Sequence, residues 1–129
     1  DRKHHRLFSG CSNKLMAVVD SESGKVIATV PIGAGVDANG FDDGGDLAFS
    51  SNGQDATLTV VHEDSPQKFT VLDNVPTQRG ARTMAVDTKS HRVFLVTADF
   101  GPPPPPTPER PRPRPSIVPG TFTLIVVGK

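Results

Sequence analysis

The chain has no tryptophan, no tyrosine, a single cysteine and no excess of either charge. Each shortage excludes something. Lys and Arg number 14, as do Asp and Glu, so the formal charge is zero. That removes the electrostatic ground for binding nucleic acid or an anionic membrane. The only aromatics are seven Phe, few rings for a surface that stacks bases or sugars. Cys11 has no second cysteine to pair with and no basic neighbour to make it reactive, so it reads as a small, half-buried strand residue. No apolar run approaches the length of a membrane span. The chain opens on "DRKHHR", without Met and without the apolar core of a signal peptide. It is therefore expected to be a processed or excised piece.

What is present is a series of short apolar runs cut by turn residues, over a length suited to one small domain, 1–129. "RLFSGC", "NKLMAVVD" and "VIATVPIG" are about strand length and rich in residues that favour a pleated, half-buried backbone. Between the last two, "DSESGK" offers Asp20, Ser21 and Gly24 for a tight hairpin. No segment carries helical spacing with caps, which predicts an all-β chain.

The pattern then repeats. "LAFSSNGQDATLTVVHEDSPQKFTVLDNV" has the same succession of strand, turn, strand, polar hinge and strand. A third copy starts at "HRVFLVTADFG", is interrupted by prolines and resumes at "TFTLIVVGK". Phe8, Phe49 and Phe94 mark the copies, 41 and then 45 residues apart. Repeats of this period made of four short strands point to β-propeller blades. The copies fall at about 6–45, 46–90 and 91–129, with a proline-rich insert at 101–120. Two further segments, "GVDANGFDDGGD" and "GARTMAVDTKSH", align with Phe41 over Val86, Asp42 over Asp87 and Gly35 over Gly80. Each is expected to be the innermost strand of a blade, ending in an Asp-rich turn.

With these segments aligned, the chain resembles the YVTN-repeat (YncE-like) bacterial β-propeller family. The likeness is carried by "LFSGCSNKLMAVVDSESGKVIATVPIGAG" (Leu7 to Gly35) and, more loosely, by "GARTMAVDTKSHRVFLVTAD" (Gly80 to Asp99). The family's usual Pro before the inner strand is replaced by Val36 or Asp37 in one copy and Arg82 in the other. The resemblance implies a partial propeller of four-stranded antiparallel blades: an open arc of about ten strands from the C-terminal end of a larger one. It also implies a periplasmic or secreted location. Exposed blade edges would invite pairing with protein or with further copies of the chain. Single-stranded DNA binding, associated with one branch of the family, is not carried over, given the neutral charge and missing Trp and Tyr.

The insert "GPPPPPTPERPRPRPSIVPG" cannot join a ladder and reads as an extended polyproline segment between two strands of the last copy. It is either a stiff surface loop or a docking peptide for a groove that takes polyproline helices. His4 and His5 are adjacent, so on a strand they would face opposite ways, and both read as part of a disordered terminus. His62, Glu63 and Asp64 read as a solvated hinge, and His91 as a surface residue. Asp42, Asp43 and Asp46 read as turn formers, because the calcium-loop pattern of alternating ligands is missing. No Ser/His/Asp signature stands out. No catalytic residue, metal or cofactor is expected.

One charged set is singled out. The alignment lays Asp37 of one inner strand over Arg82 of the next, with Arg79 just before it. In a propeller these positions meet near the channel mouth. They are either a ligand-binding site or an ion pair that pins two blades. The resulting expectation is a non-enzymatic binding or scaffold module of the bacterial cell envelope. The alternatives are a fragment of a propeller enzyme, lactonase-like or redox-associated, and a self-assembling structural protein.

Overall fold

A meander of antiparallel strands runs through the whole chain. The computed structural model describes residues 1–128 and is all-β, with ten strands in three antiparallel sheets and no helix among the described residues. The first sheet holds β1 (Arg6–Cys11), β2 (Leu15–Asp20) and β3 (Val26–Pro31). The second holds β4 (Val36–Asp42), β5 (Leu47–Asn52), β6 (Thr57–Ser65) and β7 (Lys68–Pro76). The third holds β8 (Thr83–Asp87), β9 (Arg92–Thr97) and β10 (Thr123–Val127). Within each sheet, spatial order follows chain order. Only the middle sheet has four strands.

Local chemistry explains the turns. In the β2–β3 hairpin the Asp20 carboxylate accepts the Ser23 N–H at 2.8 Å, and Gly24 takes φ 68°. Gly35 and Gly80, aligned by the sequence, both sit at positive φ just before β4 and β8. Asp42 and Asp87 close those two strands. Asp42 Oδ1 accepts Gly44 N–H at 3.3 Å, and Asp87 Oδ1 accepts Lys89 N–H at 3.0 Å.

The sheets stack face to face over two apolar layers. Met16, Val30 and Ile32 of the first sheet region pack on Ala48 and Val61 of the second. Phe8 stacks on Phe41 at 5.2 Å and meets Phe69 edge-on at 5.9 Å, within the same layer. On the other face of the middle sheet, Phe49 and Leu58 pack on Ala81, Val93 and Leu95. Alternation of side chains along each strand lets the middle sheet serve both layers.

Strands β1, β4 and β8 are neighbours across the stack, and so are β3 and β7. The close approach of the first set depends on missing side chains. A Cβ on Gly10 would lie 2.4 Å from Val36 Cγ2, and one on Gly40 would lie 2.5 Å from Val86 Cγ2.

Three expectations are corrected. The chain's first residues are not disordered: residues 1–5 form a turn, closed by Arg6 N–H on the Asp1 carbonyl at 2.9 Å. His62, Glu63 and Asp64 are not a hinge but lie inside β6, and the turn follows Ser65. The proline insert does link β9 to β10, yet it doubles back instead of running straight. Phe100 bridges Ile117, and Thr107 and Arg110 exchange backbone hydrogen bonds of 3.1 and 3.0 Å at its tip.

Candidate functional site

Asp37, Arg79 and Arg82 are all exposed. Asp37 sits at a register shift in β4, where Val36 pairs with Asn52 and Ala38 with Ser51. A bulge of this kind re-aims a side chain and bends its strand. Arg79 and Arg82 lie in the connection from β7 to β8 and act there through their backbones. The Arg79 carbonyl accepts the Thr97 hydroxyl at 3.0 Å. The Arg82 carbonyl accepts the hydroxyl of buried Ser51. Ser51 Oγ in turn accepts Ala38 N–H at 3.3 Å. Ser51 thus fastens the residue after Asp37 to Arg82 itself. No ion pair joins Asp37 to either arginine among the described residues.

A polar ladder lies between the first two sheets. Buried Asn52 accepts the Ser50 hydroxyl at 3.0 Å. Its amide donates to Thr59 Oγ1 at 2.8 Å and to Thr57 Oγ1 at 3.2 Å. Thr59 then donates to Asn74 Oδ1 at 2.7 Å. Satisfied polar networks of this kind specify one arrangement of a core. Beside the ladder is a cleft of about 240 Å³, lined by Pro31, Ile32, Gly33, Asp55, Thr57, Val71 and Asn74. The sequence reading missed the ladder, because "SSN" beside a glycine reads as a turn. Its one signal is the alternation of Ser50 and Asn52 with Phe49 and Ser51 along β5.

Some of the titratable groups elsewhere tie one sheet to the next. Arg6, itself buried, donates to Asp20 Oδ2 at 2.8 Å and, through Nε, to the Pro66 carbonyl at 2.8 Å. It thereby ties β1 to the β6–β7 hairpin. His91, expected at the surface, is half-exposed and bonds buried Asp42 at 2.8 Å, joining the β8–β9 turn to the end of β4. His62 bonds Asp64 at 2.7 Å, an exposed pair on β6.

The two outermost sheet faces are apolar and bare. On the third sheet, Phe122, Leu124 and Val126 are 73, 57 and 50% exposed. In register, Leu124 pairs with Val96, and Val126 with Phe94, so these side chains share one face. On the first sheet, Leu7 pairs with Val19, and Val19 with Val26. Leu7 and Val26 are 56 and 59% exposed. Scattered exposed apolar residues are ordinary, whereas contiguous ones on a flat sheet mark an interaction surface. No helix is long and apolar enough to cross a membrane among the described residues.

No known family model matches the chain, and no curated protein matches it in sequence.

Proposed function

We propose that the chain is a non-enzymatic binding or scaffold module of the bacterial cell envelope, periplasmic or secreted, built as a segment of a YVTN-type propeller. The observation that carries this reading is the pair of bare apolar faces on the first and third sheets. Successive sheets already pack on each other through such faces, and an uncovered one can take another sheet in the same way. The chain passes from the last strand of one sheet to the first of the next, β3 to β4 and β7 to β8, which supports a radial arrangement of blades. Asp37, Arg79 and Arg82, exposed near the first strands, are the ligand-contact candidates of that arrangement. The partner is protein or a second copy of the chain, and the neutral charge argues against nucleic acid.

The same faces favour a second reading, a structural protein that assembles through them. Light scattering after size exclusion tests both. The chain is expected to associate with increasing concentration, and Leu124→Lys with Val126→Lys to shift it towards monomer without loss of β-signal in circular dichroism. A chain that stays a folded monomer at high concentration and captures no envelope protein overturns both readings.

A further inference from the structure

We infer that Asp1, His4 and Glu63 form a binding site for a divalent transition-metal ion of the zinc type. The three side chains come from two distant stretches of the sequence, 59 residues separating His4 from Glu63. Each offers one donor atom to a common space, and these atoms lie within 4.8 Å of one another. One imidazole nitrogen with two carboxylate oxygens is a donor set that suits zinc.

The argument begins with burial. The Asp1 and Glu63 side chains are 3 and 1% exposed, and that of His4 is 24% exposed. Two carboxylates therefore face a single imidazole. Even an imidazolium leaves one carboxylate without a side-chain partner, and an unpaired buried charge is costly. The Arg6 guanidinium is committed to Asp20, Pro66 and His5. The Asp1 amino group is turned to the Arg6 carbonyl, which it bonds at 2.8 Å. A dication offsets what the side chains leave unbalanced.

Hydrogen bonding points the same way. His4 Nδ1 lies 2.8 Å from Asp1 Oδ2 and 2.8 Å from Glu63 Oε1. Neither contact is aligned as a hydrogen bond, and His4 Nδ1 and both Glu63 oxygens are buried without a partner. The other close histidine pairs behave differently. His62 with Asp64 and His91 with Asp42 have equally short contacts and are aligned for hydrogen bonding. At His4 the ring nitrogen faces the space between two oxygens, where its lone pair can meet a cation. Ligands about 2.1 Å from one ion sit roughly 3.0–3.4 Å apart. An ion entering there would widen the present contacts by only roughly half an ångström.

The surrounding backbone holds the donors in place. Lys3 N–H donates to Asp1 Oδ1 at 2.7 Å, and His4 N–H to Asp1 Oδ2 at 2.9 Å. Glu63 N–H donates to the Asp46 carbonyl at 2.9 Å. The metal would pin the turn before β1 to β6 of the neighbouring sheet, beside the Arg6–Pro66 contact. Three protein ligands leave a coordination position for water.

Zinc chloride titrated into the chelator-stripped full chain, followed by calorimetry and thermal melting, tests the site. One equivalent of Zn²⁺ is expected to bind and raise the melting temperature, with Ca²⁺ doing neither. His4→Gln and Glu63→Gln are each expected to weaken zinc binding by at least about tenfold. His4 is on a partly exposed turn, so His4→Gln remains informative if Glu63→Gln fails to fold. Long-range ¹⁵N–¹H spectra of the wild-type chain should show the His4 Nδ1 resonance moving on zinc addition. Absence of binding, an unmoved His4 resonance, or affinity kept in His4→Gln overturns the inference.

Discussion

Asp20 carries one end of a hairpin and one end of an ion pair with the same carboxylate. Its Oδ1 accepts the Ser23 N–H, the Ser23 hydroxyl and the Glu22 N–H, and its Oδ2 accepts Arg6. These donors, the Ser23 backbone foremost, hold its pKa at about 2, below the ordinary 3.8. Asp64 is likewise held at about 2, first by His62 and then by Thr70. Both carboxyls titrate lower in the folded chain than in the unfolded one. Their contribution to stability is therefore complete above the ordinary aspartate value and is lost as pH falls through about 2. Melting temperature should drop across that acid window, and Asp20→Asn should make the drop shallower. A wild-type curve flat from pH 4 to 2 (roughly, the window set by linkage) would contradict the assignment.

At this scale the sequence was least legible where polar side chains face inward. Glu63 follows Val61 and Thr59 on the buried face of β6, yet "HEDSPQK" has the composition of a turn. Its partners on residues 1–4 could not be read from spacing, since the contact closes only when two sheets stack. Cys11 was easier. A small residue at the end of an apolar run was expected to be half-buried, and it is.

Among the elements, the strands and their turns were legible because two rules agree at each. Val- and Ile-rich runs alternate, and Asp, Ser or Gly stands where they end. The aligned glycines before β4 and β8 share a left-handed conformation. Less legible was how closely the first strands approach, which follows from what Gly10 and Gly40 leave out. Gly40→Val is expected to cost about 1–3 kcal/mol, the usual range for overpacking. Strand propensity favours valine, but a Cβ 2.5 Å from Val86 Cγ2 outweighs it. Adding Val86→Ala should recover some of the loss, a non-additivity expected of residues in contact. Urea denaturation of the two single variants and the double gives the coupling, and additive effects would mean that the strands do not meet here. The proline insert shows the opposite case. Its composition announced a segment outside the ladder, but its doubled-back path depends on the Phe100–Ile117 bridge, which composition does not reveal.

For the whole molecule, the all-β class and the number of strands were legible, since repeats and turns count strands directly. The stack itself is held by two apolar layers and a few polar ties: Arg6 to Pro66, Ser51 to Arg82, and His91 to Asp42.

That each sheet is written in chain order, with no strand lent to a neighbouring sheet, has a mechanical consequence. Tension applied at the two ends of the chain enters and leaves the four-stranded middle sheet at the same end of its strands, so its bonds break in succession instead of together, whereas the two three-stranded sheets are pulled partly along their strands. The layers should therefore unravel singly, the middle one at the lowest force once it is reached. In an optical trap this would register as separate small extensions. A single abrupt rupture would mean that the packing between layers, and not the ladders within them, bears the load.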